Sequence, residues 1–427
     1  MKKALYSRQI QSVAKAIYEL HKSTLFRKRR MKMKKPFADQ WIILADVPPA
    51  PEPEALKLYL ASGINTYVLT EDFVDFAKDP VAFDETLDIL DSSGLSVFVR
   101  GMGYDIFPHY FEKFADYNFY RHSSVKGFYL IDEPGADKFA GIAKEYVGFV
   151  REHYPDLFWH LNLLPSYATD EQLATSAEGS RSAFEVYIDR YRTEVLSNIK
   201  GARDIGFDHY PLYVRHGVYS VSEKWLSDLM TVGIAAKHAH ARFSVCIQAF
   251  TGKPDGWNPP EGWRLPTRTG ILFQLYLSLA FGASIFEIFL YRDAPDFDLA
   301  NGMLGVDGTP NPTYFMVQDA LVEVKKLEPA LMKSRWQGVY PVAGEKATLP
   351  EVGMLSMHPD AIRKLGTEIY SSHDVILGVF TYRRKTWILA VNYTDPENCQ
   401  VNRLKVGNRT FYLKPGGAAW FPLSEEA

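Results

Sequence analysis

The segment Gly127-Phe128-Tyr129-Leu130-Ile131-Asp132-Glu133-Pro134 ends an apolar, β-rich run in two adjacent acids and a proline. Neighbouring carboxylates repel, and a carboxyl beside another in a low-dielectric pocket keeps its proton to higher pH. Such a group can protonate a leaving oxygen near neutrality, as glycosidic cleavage demands, because an alkoxide leaves poorly unless it is protonated while the bond breaks. The competing reading is a pair that caps the next helix or binds an arginine. Other apolar runs also close on polar residues: Asp46, Thr70-Glu71-Asp72, Arg100, Asn162, Asp208-His209-Tyr210, Gln248 and Tyr291. This is carboxylate, amide and phenol chemistry with no phosphate loop. Tyr210 and Tyr291 read as hydroxyl donors to a sugar, and Asn162, Arg100 and Asp46 as binders of its hydroxyls. Trp257 and Trp263, in a Gly/Pro-rich loop, read as stacking platforms that cover the cleft. Packing in the core or in loops is the alternative for each.

The positions of these residues depend on a repeated pattern that starts at residue 41. Eight short apolar runs occur: Trp41–Val47, Ile64–Thr70, Ser96–Gly101, Val125–Ile131, Leu157–Leu163, Ile205–Tyr210, Arg242–Ala249 and Ser284–Leu290. Amphipathic stretches of helical length separate them, such as Glu52–Ser62, Asp84–Ser93, Asp137–His153, Ser182–Ile199, Ser222–His238 and Thr269–Phe281. Strands alternating with helices imply a parallel sheet, and eight units suffice to close an α/β fold of the (β/α)8 TIM barrel type. A doubly wound sheet is the rival, but Ala45-Asp46-Val47-Pro48-Pro49 stands where its Gly-rich turn belongs. After a last helix near Tyr314–Leu327, runs at Val339-Tyr340, Val375–Phe380, Thr386–Asn392 and Thr410–Leu413 read as strands of a C-terminal all-β sandwich domain. The expected division is therefore a helical, basic extension over 1–35, a catalytic barrel over 36–333 and a sandwich over 334–427.

An eight-unit barrel with a β tail and Asp-Glu-Pro closing its fourth strand resembles the barrel glycoside hydrolases, both clan A and the families with a catalytic Asp-Glu pair. Among the latter it is similar to the β-N-acetylgalactosaminidase family, whose fourth strand also ends in Asp-Glu-Pro. The resemblance spans about residues 36–427, although only this motif is sharp. It implies Glu133 as general acid/base, and Asp132 as the group that orients a substrate acetamido group for attack on the anomeric carbon. Clan A places a second glutamate at the end of strand seven, where this chain has Gln248, and an amide cannot act as a carboxylate nucleophile. Three substitutes are open, in this order: the acetamido group itself with Asp132 assisting, Asp208 as nucleophile or base, and Glu287. A carbohydrate-binding barrel without catalysis is the second reading. A lyase or aldolase barrel is the third, but it normally needs a lysine or metal at a strand end.

The rest of the chain narrows the partner. Its 427 residues are 47% hydrophobic and 23% charged, which describes a well-packed globular protein. Residues 1–35 hold 12 Lys/Arg against the single acid Glu19, leaving 36 basic against 50 acidic side chains elsewhere. An acidic body disfavours nucleic acid and fits an uncharged carbohydrate. Aromatic residues make up 14% of the chain, more than a Val/Ile/Leu barrel core needs. His238-Ala239-His240 precedes strand seven, the wrong end for a barrel metal site, so no metal or cofactor is expected. No stretch reaches the roughly 20 apolar residues of a membrane span. Two distant cysteines, Cys246 and Cys399, and the lack of a secretory pattern point to a cytoplasmic protein without disulfides.

Overall fold

The computed structural model describes residues 37–70, 72–76, 78–100, 114, 117–199, 203–253, 261–346, 358–366, 368–397 and 401–423. The N-terminal extension over 1–35, Glu71, Trp257 and Cys399 lie outside the described residues. Eight parallel strands form one sheet: β1 (Ile42–Ala45), β2 (Thr66–Leu69), β3 (Ser96–Arg100), β4 (Val125–Asp132), β5 (Phe158–Leu163), β6 (Asp204–Phe207), β7 (Arg242–Gln248) and β8 (Ile285–Phe289). Their order is β1-β8-β7-β6-β5-β4-β3-β2, so the first and last places in the sheet fall to strands adjacent in sequence. Asn65 joins these two edges: its N–H donates to Ile43 O at 3.0 Å, its Oδ1 accepts from Ile43 N at 2.9 Å, and its Nδ2 donates to Trp41 O at 2.9 Å. The sheet is thereby a nearly closed (β/α)8 barrel. Each of the eight apolar runs became one of its strands.

Burial on both faces explains the uninterrupted apolar text of such strands, and all four residues of β1, Ile42-Ile43-Leu44-Ala45, are buried. The outer helices begin where the sequence offers a cap. Asp79 accepts from the N–H groups of Val81 and Ala82 ahead of Pro80–Ser93, which starts one turn earlier than the apolar spacing alone indicates. Ser182 and Glu185 form a capping box ahead of Ala183–Arg190.

Loops leaving the C-terminal ends of β6, β7 and β8 build a second, antiparallel sheet. Its order is Leu299–Ala300, Thr251–Gly252, Gly262–Trp263, Leu212–Arg215 and Val218–Val221. The sequence shows none of this cap, whose short strands lack periodicity; Gly262–Trp263 reads there as plain loop. Gly262 sits at φ 153°, and a Cβ on it would lie 2.4 Å from Gly252 O, so only glycine lets these two backbones meet.

The tail holds β9 (Arg335–Val342), β10 (Ile369–Ser371), β11 (Val375–Tyr382), β12 (Lys385–Asn392), β13 (Asn402–Val406), β14 (Arg409–Leu413) and β15 (Ala418–Pro422). They form two antiparallel sheets, β9-β11-β12-β15 and β10-β13-β14. Along β11, Val375, Leu377 and Val379 enter an apolar cluster shared with Leu404, Val406 and Leu413 of the smaller sheet. The alternate residues Ile376 and Phe380 join the main core with the barrel. Trp336 Nε1 donates to Ala280 O at 2.9 Å at this junction. Barrel and tail pack as one compact unit, Asp39–Ala427.

Candidate active site

The strand ends converge at the C-terminal mouth of the barrel. On β4 the pairing with β5 runs Tyr129 to His160 and then Asp132 to Asn162, three residues against two, so the strand bulges at Leu130-Ile131. The bulge turns Tyr129 and Asp132 to the same side, and Tyr129 OH donates to Asp132 Oδ1 at 3.3 Å. Glu133 N–H extends the pairing to Asn162 O at 2.9 Å. Pro134 disfavours the right-handed helical region for the residue before it, and Glu133 adopts φ 46°. A left-handed turn costs a residue with a Cβ roughly 1–2 kcal/mol. Such strain persists where the surroundings hold it, and it concentrates at functional sites.

Two carboxyl arrangements result. Asp132 is anchored: Asn162 Nδ2 donates to Oδ1 at 3.0 Å and Arg100 Nη2 to Oδ2 at 3.2 Å, while Arg100 Nη1 reaches Asp46 Oδ1 at 3.2 Å. The guanidinium also lies 4.9 Å from the Tyr129 ring centroid. Asp46, Arg100, Asp132 and Asn162 are thus one network with Arg100 between two acids. Burial raises the Asp46 pKa, with the Arg100 charge opposing it.

Glu133 is exposed and hydrogen-bonds to Asp208, which is 7% exposed. Burial, then the Glu133 charge and its hydrogen bond, lift the Asp208 carboxyl well above the usual carboxylate range. The Glu133 carboxyl, partly desolvated by the groups around it although the residue is exposed, is raised, lowered in part by the bond with Asp208, and raised again by the Asp132 charge. Of the two carboxyls, the more deeply buried Asp208 is the one more strongly biased to the protonated form. Asp208 Oδ1 has no hydrogen-bond partner.

Asp208 is held from behind by its neighbour. His209 Nδ1 lies 2.7 Å from Asp228 Oδ2, and its Nε2 lies 2.7 Å from Ser222 Oγ. Tyr167 completes this side, its OH donating to Asp208 O at 3.3 Å and its ring 47% exposed at the mouth. Sequence reasoning missed Tyr129 and Tyr167. Tyr129 lies three residues before Asp132, out of phase for a regular strand until the bulge corrects it, and Tyr167 stands in a loop without periodicity.

The remaining sites expected from the sequence lie elsewhere. Gln248 is fully buried, its Oε1 accepting from Leu212 N at 2.9 Å and its Nε2 donating to Leu212 O and Arg264 O at 2.8 Å. Its amide ties the cap to β7 instead of facing a ligand. Tyr291 is likewise fully buried, its ring edge-on to Tyr59 at 4.7 Å, so it packs behind β8. Tyr210, 8% exposed, joins Phe250, Phe289 and Trp263 in an aromatic cluster over the β6–β8 side of the mouth. Glu287 points into the barrel, 3.4 Å from His160 Nε2, while His160 Nδ1 lies 2.6 Å from Asp204 Oδ2. These acids overcome burial and push His160 up to about 10.

Asp88, Asp91 and His122 are a grouping of metal-ligand type among the described residues. Asp91 Oδ1 already accepts from Ser124 N at 2.7 Å, and His122 Nδ1 lies 3.2 Å from Asp91 Oδ2, as expected of a tie between a helix and the turn before β4. Among the described residues no helix is long and apolar enough to cross a membrane.

Fold and site together define a (β/α)8 barrel with the carboxyls of Glu133 and Asp208 paired at the ends of two of its strands. No family model matches the sequence, and no curated protein does. Similar solved structures include a β-galactosidase from the psychrophilic Marinomonas ef1, with 14% identity, TM-score 0.46 and coverage of 72% of this chain and 63% of that one. The β-galactosidase from Bacillus circulans sp. alkalophilus follows with 12%, 0.42, 70% and 58%, and xylanase 10B from Thermotoga maritima with 9%, 0.42, 68% and 98%. This chain spans less than two thirds of the length of the two galactosidases.

Proposed function

We propose that the protein is a glycoside hydrolase with Glu133 as its proton donor. The observation that carries this reading is the pairing of an exposed Glu133 with a buried Asp208 at the ends of β4 and β6, burial biasing the Asp208 carboxyl to its protonated form. As the glycosidic C–O bond breaks, the one proton of the pair passes from Asp208 through Glu133 to the leaving oxygen, which leaves both carboxyls ionised. Hydrogen-bonded carboxyls lie closer together than the about 5 Å of a retaining pair or the about 6.5–9.5 Å of an inverting one. Asp208 is accordingly read as the proton store, and the attack is assigned to the substrate's acetamido oxygen. That oxygen bonds to the anomeric carbon as the leaving oxygen departs with its proton. Glu133, now a carboxylate, then takes a proton from the water that opens the cyclic intermediate. Asp132 has three of its roughly four acceptor sites filled, which leaves one for the acetamido N–H of an N-acetylhexosaminide. The division into extension, barrel and sandwich belongs to the same reading, supported for the tail by the apolar cluster that its two sheets share.

A panel of 4-nitrophenyl glycosides that includes N-acetylhexosaminides tests it. Glu133→Gln is expected to lose about 10²–10⁴-fold in turnover while still binding. Asp132→Asn should lose activity on acetamido substrates only, and equal loss on plain hexosides counts against assistance. Saccharide binding without turnover across the panel would replace the hydrolase by a non-catalytic carbohydrate-binding barrel. The locked amide of Gln248 at the end of β7, where a second carboxylate would stand, is the observation in favour of that alternative.

A further inference from the structure

A cavity of about 700 Å³ lies along the cap sheet, lined by Trp263, Tyr219, Arg264, Thr267, Lys253 and Glu397 among others, and not by Asp132, Glu133 or Asp208. Its size falls in the range of roughly 300–1,000 Å³ typical of small-molecule sites. We propose that this cavity binds uncharged saccharide units of a long substrate, away from the bond that is cut. The proposal deepens the hydrolase reading, on which it rests for the identity of the reacting end.

Three observations point to this occupant. Two aromatic rings face the space: Trp263 is half-buried, and Tyr219 is 52% exposed. Trp263 also meets Tyr210 edge-on at 5.5 Å, and Tyr210 follows Asp208 by two residues, so one aromatic layer connects the cavity wall with the carboxyl pair.

The polar lining is that of a hydroxyl binder. Arg264 has a side chain only 4% exposed; its Nη2 donates to Asp395 Oδ1 at 3.0 Å, whereas its Nε and Nη1 have no partner. Tyr219 lies over this guanidinium, 5.0 Å from its carbon. Buried N–H groups of a charged side chain are seldom left unpaired, and a site built around them has a ligand or solvent to satisfy them. Acceptors are present as well, since Glu261, Asp298 and Glu397 line the same space.

Charge then excludes the anionic alternatives. Three carboxylates face two cations, Lys253 and Arg264, in this lining, so a phosphate, sulfate or uronate meets net repulsion. A neutral polyhydroxylated chain uses donors and acceptors together and stacks its apolar faces on the rings.

Affinity electrophoresis of the full chain through gels containing glycol chitin or N-acetylated polygalactosamine, both neutral polymers of N-acetylhexosamine, with polygalacturonate as the charged control, tests the site. Wild type and Glu133→Gln should be retarded by at least one neutral polymer. Tyr219→Ala, a change at an exposed ring, should abolish the retardation and raise the KM for oligosaccharides of that polymer by about tenfold, with kcat/KM on 4-nitrophenyl glycosides unchanged. Lys253→Ala provides a second, surface-located variant that should weaken the same retardation. Migration of Tyr219→Ala identical to wild type, or retardation by polygalacturonate alone, would overturn the proposal. Hydrolysis of nitrophenyl glycosides without retardation in any gel removes this site and leaves the hydrolase standing. Retardation without any hydrolysis does the reverse.

Discussion

At the scale of single residues, the site depends on where one proton resides. Both Glu133 and Asp208 are raised above the ordinary carboxylate range, Asp208 the more so, chiefly by burial. Their shared proton therefore leaves at higher pH than that of an ordinary carboxyl, and its loss sets the alkaline limb of activity. In Asp208→Asn the amide can still donate a hydrogen bond to Glu133 but holds no transferable proton. The alkaline limb of kcat/KM is expected to move to lower pH and kcat to fall by about 10²-fold or more; a pH–rate profile unchanged in this variant would remove Asp208 from proton delivery. The acidic motif was legible in the sequence because two acids cannot end a buried strand without consequence. Its partner was legible only as a candidate, since Asp208 lies 75 positions further along the chain.

At the scale of elements, two short segments carry more than their length indicates. Asn65 closes the barrel through three hydrogen bonds between β1 and β2. Asn65→Ala leaves Ile43 N–H and Trp41 C=O unpaired in a buried seam. The expected destabilisation is about 1–3 kcal/mol, measured by urea denaturation. The hairpin between β11 and β12 turns through Arg383 and Arg384 at φ 49° and 64°, a conformation that favours glycine or asparagine. Arg384→Gly should therefore stabilise the protein by about 1 kcal/mol in the same assay, an unusual direction for a change to glycine. Strand identity was legible wherever apolar runs were buried on both faces. Strands of the tail such as Asn402–Val406, with burial alternating along it, and the two-residue strands of the cap were not, because so little of their length repeats.

At the scale of the whole molecule, the barrel interior carries a charged centre. His160, between Asp204 and Glu287, is raised to about 10 from an ordinary value near 6.5. A folded-state pKa above the unfolded one adds stability that is complete below pH about 6.5 and is lost as pH climbs through about 10. The Asp204 and Glu287 shifts are also upward, so their contribution is present below the ordinary carboxylate range and lost as pH rises through their folded-state values. Thermal midpoints should fall steadily between these limits; in His160→Gln the protein should be less stable at pH 6.5, with a flatter dependence above it. A midpoint that rises with pH over this interval would contradict the charged centre.

By itself the sequence determined the number and order of the barrel strands, their helices, and the acids and amides at the strand ends, because burial and capping act locally along the chain. Only the tertiary structure decided which of those polar groups meet. The bulge in β4 turned Tyr129 onto Asp132, the network of Arg100 separated Asp132 from Glu133, and folding brought Asp208 to Glu133 while sending Gln248 and Tyr291 into packing. The physical reason is that a side chain's partner and its burial are properties of three-dimensional proximity, and those two quantities set the protonation on which the chemistry depends.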